Sequence, residues 1–175
     1  MKKIIAMAAA AALLLLAGCS KEDSGAEAAS FDKIQVEMTF KCDEGMAEVY
    51  DVTLNYNKLD GTKCSSEVFT DQQNIKFTGK TLPSTFTYGF EFKTKDNLTK
   101  DKYSLTLDYK IEVKALDTDG NVLAAQSRTS GFAVTGINAS MVSRFDGSDE
   151  ADTFRIFRDS DTGAVTITRD SDLDE

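Results

Sequence analysis

The stretch Tyr103-Ser104-Leu105-Thr106-Leu107-Asp108-Tyr109-Lys110-Ile111-Glu112-Val113-Lys114-Ala115 alternates apolar and polar side chains without a break. Tyr103, Leu105, Leu107, Tyr109, Ile111, Val113 and Ala115 fall on one side, and the six intervening polar residues on the other. Successive side chains of a strand point to opposite faces, whereas a helix brings together residues three and four apart. The alternation predicts a half-buried strand over 103–117, followed by an Asp119-Gly120 turn and a partner strand over 121–134. Glycine accepts the positive φ that a tight hairpin needs.

The same period of two recurs upstream. Ile34, Val36, Met38 and Phe40 share a face against Gln35, Glu37, Thr39 and Lys41. Tyr50, Val52, Leu54 and Tyr56 repeat it, as do Phe86, Tyr88, Phe90 and Phe92. Expected strands are 32–41, 48–57, 63–70, 74–78, 85–94, 103–117 and 121–134, with shorter candidates at 153–158 and 164–169. Asp60-Gly61 marks a further hairpin turn, and Gly163 closes the loop 159–163. No helix of three turns and no internal repeat is evident, and 136–152 carries the weakest pattern.

The chain therefore reads as all-β. Seven short antiparallel strands are the count of an immunoglobulin-like β-sandwich. The segment Tyr109–Ala115 followed by Asp119-Gly120 is similar to the penultimate strand and turn of fibronectin type III modules, although the tryptophan usual in that family is absent. Residues 135–175 would add a C-terminal hairpin to such a sandwich. The alternative is a lipocalin-like barrel closed by all the candidate strands. It would place Tyr50, Leu54, Phe90, Leu107 and Tyr109 around a cavity for a small apolar ligand.

The first residues read as an address. Lys2 and Lys3 precede an apolar run from Ile4 to Ala17, short for a spanning helix of ~20 residues but fitting a secretory signal. The run ends in Leu16-Ala17-Gly18-Cys19, which resembles the lipobox of bacterial outer-membrane lipoproteins. The resemblance implies cleavage before Cys19, with its thiol carrying diacylglycerol and its amine a further acyl chain such as palmitate. Multiple acyl chains give the stable attachment that one chain does not. Ser20-Lys21-Glu22-Asp23 resembles the surface-export run of Bacteroidota-type lipoproteins, which implies display on the outer face of the outer membrane. A plain solvated tether, leaving the protein facing the periplasm, is the alternative. The expected organisation is a signal peptide over 1–18, acylated Cys19 and tether over 19–30, one β domain over 31–169, and an acidic tail over 170–175.

Composition narrows the chemistry. The 175-residue chain has 20 basic and 29 acidic side chains, a formal charge of −9, no histidine and no tryptophan. Removing 1–18 takes away two lysines and no acids, which moves the charge from −9 to −11. The absence of histidine removes Ser-His-Asp and Cys-His mechanisms and histidine-ligated metals. The acidic balance argues against nucleic acid, whose phosphates need a surplus of Lys and Arg. No nucleophile motif, phosphate loop or dinucleotide fingerprint is present, so no enzyme is expected.

With Cys19 given to lipid, Cys42 and Cys64 remain. Parity in an oxidising compartment suggests a disulfide between them. A hairpin of the first two strands would instead put them at opposite ends of the second strand, too far apart to bridge, and Cys42 is in phase with the apolar Met38 and Phe40. Both readings stand at this level. Asp117, Asp119 and Asn121, and Asp159 with Asp161, resemble fragments of calcium loops but lack the later bidentate glutamate. Hairpin turns explain the same residues, so calcium is only a weak cofactor expectation and no other is expected.

Phe69, Phe145 and Phe157 are the aromatics that burial explains least. The expected function is a lipid-anchored, surface-exposed, non-catalytic binding or interaction module whose partner is a protein or a glycan. A lipocalin-like carrier and a structural subunit of an envelope or pilus-like assembly are the alternatives.

Overall fold

The computed structural model of the chain describes residues 30–147 and 152–172. The expected signal peptide, Cys19, nearly all of the expected tether and the end of the expected acidic tail lie outside them. Nine strands are formed: β1 Phe31–Cys42, β2 Tyr50–Asn57, β3 Lys63–Glu67, β4 Gln73–Gly79, β5 Ser84–Thr94, β6 Lys102–Asp117, β7 Val122–Asn138, β8 Asp152–Arg158 and β9 Val165–Arg169. A six-residue helix, α1 (Glu44–Val49), follows β1, a 3-10 segment spans Ala139–Phe145, and a short one, Asp170–Asp172, follows β9.

The strands form two antiparallel sheets, one ordered β4-β1-β6-β7 and the other β3-β2-β5-β8-β9. The chain is an all-β sandwich. The barrel alternative is corrected, because each sheet keeps two free edges. The five side chains expected around a barrel cavity are buried in the core, with Phe90 and Tyr109 in ring contact at 5.0 Å. β1 next to β4, and β2 next to β5, is the cross-sheet order in which immunoglobulin-like sandwiches pair their B with E and C with F strands. The β6–β7 hairpin occupies the flank of β1, so the segment resembling a penultimate fibronectin strand pairs with β1 and not with β2. The expected C-terminal hairpin is β8–β9, which extends the five-stranded sheet beyond β5.

Register follows from the alternation. β6 buries Tyr103, Leu105, Leu107, Tyr109, Ile111, Val113 and Ala115, and a slip of one residue would send all seven to solvent. Opposite them, Phe86, Tyr88, Phe90 and Phe154 are fully buried, with Phe86 stacked on Tyr88 at 5.8 Å. Each such side chain contributes on the order of 1.5–3 kcal/mol by leaving water. Four of the five tyrosines are buried, and Tyr56 is half-buried against Phe77. The turn glycines Gly61, Gly120 and Gly163 take φ of 82°, 87° and 69°, the left-handed values that the turns require.

The first two strands do not form a hairpin, since β1 and β2 lie in different sheets. After Cys42, the Asp43 carboxylate accepts the Met46 amide at 2.7 Å and caps α1. The helix buries Met46 and Val49 and carries the chain from one sheet to the other. Gly45 allows this crossing, since a Cβ there would stand 2.0 Å from the Ser104 carbonyl of β6.

Candidate binding surface

Register gives the sandwich two ends. Phe31 pairs with Asp117 at one end and Cys42 with Leu107 at the other. The intervening strand, at ~3.3 Å per residue, is ~35–40 Å long. The end remote from Phe31 is built from α1, the 68–72 connection, the 95–101 loop and the 3-10 segment. Open clefts gather there.

One cleft of about 430 Å³ lies between α1 and the start of β6, lined by Glu44, Gly45, Glu48, Lys100 and Tyr103 among others. A second of about 340 Å³ runs along Tyr50–Thr53 and Glu67–Thr70, with Ala47 and Lys95 closing it. A third of about 430 Å³ includes Lys41, Asp43, Thr70, Asp71 and Asp108. Phe69 stands 53% exposed on the wall of the second, the largest aromatic surface among the described residues. Its backbone is fixed, because its carbonyl accepts the Cys42 amide at 3.0 Å and its amide donates to Gln73 at 3.0 Å. A fixed backbone under an exposed ring is the arrangement of a preformed contact residue.

The loops of this end are tied to the framework. The Tyr103 hydroxyl accepts the amides of Thr99 and Lys100 at 2.9 Å each. Asp146 accepts the Thr94 amide at 2.8 Å and its hydroxyl at 2.6 Å. The buried Tyr50 hydroxyl donates to the Val142 carbonyl at 2.7 Å, and burial, then Asp146, pushes its pKa up to about 12. Lys95 donates to the Ala47 carbonyl at 2.8 Å and pairs with Asp51 at 3.4 Å. Lys100 donates to Glu48 at 2.8 Å, and this bond, ahead of the ion-pair attraction, raises its pKa. The first cleft sets Glu44 and Glu48 against Lys100, whereas the third is acidic, with Asp43, Glu44, Asp71 and Asp108 against Lys41.

A polar node joins the sheets farther down. Asp152 is 7% exposed. It accepts Arg128 Nη1 at 3.1 Å and Ser171 Oγ at 3.1 Å, with Arg169 Nε 3.7 Å away. Arg128 Nε also donates to the Tyr109 hydroxyl at 3.2 Å. Burial works against the arginine charge, but the Tyr109 bond and the neighbouring Tyr88 and Asp152 outweigh it and raise its pKa. The enclosed Tyr88 hydroxyl has no hydrogen-bond partner among the described residues, and burial, ahead of the neighbouring Tyr109, keeps it protonated. No motif announces this node, because its members come from five strands and the segment beyond β9.

The residues expected to carry chemistry are scattered. Asp117 accepts the amides of Asp119 and Asn121 at 2.9 and 2.8 Å and the Asn121 side chain at 2.9 Å. These bonds hold its pKa below the usual carboxylate range, the Asn121 side chain contributing most. Asp159 does the same for its loop, accepting the amides of Asp161 and Thr162 at 3.1 and 2.8 Å. Both carboxylates act as turn caps at the opposite end from the clefts. The disulfide expectation is corrected, since Cys42 and Cys64 are both free. Cys42 is buried with its sulfur 3.8 Å from the Val68 carbonyl. Cys64, on β3, pairs with Tyr56 of β2 and lies four residues before Val68, a strand distance of ~13 Å. Of the three aromatics set apart in the sequence, only Phe69 is exposed, and Phe145 and Phe157 are half-buried.

No family model matches the chain, and no curated protein or solved structure matches it either.

Proposed function

We propose that the chain is a lipid-anchored protein of the bacterial cell envelope, displayed on the outer face of the outer membrane. There it acts as a non-catalytic binding module for a protein or glycan partner. Anchoring rests on Leu16-Ala17-Gly18-Cys19 behind an apolar run, and display on Ser20-Lys21-Glu22-Asp23. The observation that carries the binding reading is the position of the clefts. Three of them, and the exposed ring of Phe69, lie at the end of the sandwich remote from Phe31, where the tether enters. A protein held at its N-terminus presents that end away from the membrane. An exposed aromatic ring beside clefts lined by charged side chains suits partners with both apolar and polar surface.

The anchoring test is palmitate incorporation and membrane fractionation of the chain beside Cys19→Ser, which is expected to lose both signals. Protease shaving of intact cells is expected to remove the wild-type protein, and a chain protected until lysis refutes display. The binding face is tested by comparing wild type with Phe69→Ser on glycan arrays and envelope extracts. Equal signals for the two chains refute the assignment of that end.

A further inference from the structure

Most carboxylates of the sandwich are held by the fold itself. Asp32 pairs with Lys80 at 3.2 Å, Glu112 with Lys114 at 2.8 Å and Asp170 with Arg155 at 2.7 Å. Asp60, Asp117 and Asp159 cap turns. The end remote from Phe31 differs. Among the described residues, the side-chain carboxylates that accept no hydrogen bond and form no ion pair are Glu44, Glu67, Asp71, Asp96, Asp101 and Asp108, all at this end, and Asp119 in the β6–β7 turn. Lys95 and Lys100 are already engaged by Asp51 and Glu48. The uncommitted acids of this end therefore face only Lys41, Lys102 and Arg144.

These acids adjoin the exposed ring. The 68–72 connection is a ridge between two clefts. Phe69 lines the second with Ala47, Val52 and Val68, and Glu44, Asp71 and Asp108 line the third. Thr70 borders both. From Phe69 to Asp71 is ~7 Å of extended chain, so an apolar wall and a negative wall stand side by side.

We propose that this ridge binds a basic segment of a partner protein. An apolar side chain of the segment packs on Phe69, and a Lys or Arg about two residues away enters the acidic cleft. The inference rests on the assignment of this end as the binding face, and it selects protein over glycan. Charge makes the selection. A sugar hydroxyl can donate to a carboxylate but leaves its charge uncompensated, and an acidic glycan is repelled. A guanidinium or ammonium relieves the mutual repulsion of Glu44, Asp71 and Asp108 and meets acceptors that no side chain of the fold occupies. The two walls divide the work, the ring supplying affinity and the carboxylates steering and register.

The experiment is selection of a phage-displayed library of random peptides on the full chain, with counter-selection on Phe69→Ser. Recovered peptides are expected to carry more Lys and Arg than the input library, close to an aromatic or aliphatic residue. The strongest is synthesised and titrated by calorimetry. Its affinity is expected to fall at least ~10-fold for Phe69→Ser and for Asp71→Asn combined with Asp108→Asn. It is expected to stay within ~2-fold for Asp119→Asn combined with Asp161→Asn, which removes the same charge from exposed positions at the opposite end. Thermal midpoints close to wild type show that the variants fold. A peptide with citrulline for Arg and norleucine for Lys tests the charge on the unaltered chain, and is expected to bind at least ~10-fold more weakly. Peptides recovered without a basic excess overturn the proposal. So does equal weakening by the two carboxylate pairs, which makes the attraction one of net charge alone. Glycan capture that is lost in Phe69→Ser while no basic peptide binds leaves the binding face standing and overturns the choice of partner.

Discussion

Replacing Asp152 by asparagine keeps the shape of the side chain and removes one charge from between the sheets. The carboxylate is 6% exposed and serves Arg128 at 3.1 Å and Arg169 at 3.7 Å, both about one-fifth exposed. It also accepts Ser171 Oγ and the Thr153 amide. Asparagine retains the acceptor for Thr153 but offers the arginines an amide in place of a counter-charge. Removing one partner of a buried ion pair costs ~3–5 kcal/mol. The arginines reach water and have other contacts, so the expected loss is ~2–3 kcal/mol. With a urea m value of ~2 kcal/mol/M, the unfolding midpoint falls by ~1–1.5 M at unchanged m. The second arm is Asp152→Asn with Arg128→Met, which removes one stranded cation while keeping its stem packed. It is expected to recover part of the loss, so the two substitutions are non-additive. A single variant within ~0.5 kcal/mol of wild type, or strict additivity, refutes the view that this node holds the sheets together.

Gly45→Ala drives a Cβ to 2.0 Å from the Ser104 carbonyl, so a loss of ~1–3 kcal/mol is expected in chemical denaturation. Gly61→Ala meets no atom within 4 Å and carries only the strain of its positive φ, which makes it the milder comparison. Tyr50 has its pKa raised from about 10 to about 12, so the fold favours the protonated phenol. Its contribution is complete below pH ~10 and is lost as pH rises through ~12, and Tyr50→Phe is expected to flatten part of that alkaline slope in unfolding titrations. A thiol reagent is expected to label Cys64 in the native chain, while Cys42, buried and with its pKa raised by burial, reacts only on unfolding. Equal native rates for the two contradict the placement of Cys42.

Much of the secondary structure is legible in the sequence, for a local reason. Half-buried strands write their two faces into alternate residues, as β1 does from Ile34 and β6 does as far as Ala115. Asp60-Gly61 and Asp119-Gly120 mark turns because positive φ is costly for other residues. The misreadings are local too. α1 is too short to display a helical period, and its last two residues, Glu48 and Val49, fall within the expected second strand; Asp43 as a cap is the available signal. Val68 still donates its amide to the Val52 carbonyl of β2, but Phe69, expected within the third strand, turns toward β1, where the Cys42 amide donates to its carbonyl. β7 runs to Asn138, past the expected 134, because it follows β6 back to Lys102.

The candidate surface is less legible. Phe69 stands out as an aromatic without an apolar phase, but the clefts beside it are made by α1, the 68–72 connection and the 95–101 loop, which meet only in space. The Asp152 node is harder still, because nothing in the order of Tyr88, Tyr109, Arg128, Asp152 and Arg169 reveals that five strands bring them together.

The sequence by itself determined that this protein is all-β, where its turns fall, which faces are apolar, and that histidine chemistry is absent. These are properties of single residues and near neighbours, fixed by alternation and by the steric demands of glycine turns. Only the tertiary structure decided sandwich over barrel, the sheet to which each strand belongs and the freedom of both thiols. Pairing between distant strands depends on which apolar faces can be buried together, and α1 decides that by lifting the chain from one sheet to the other after Cys42.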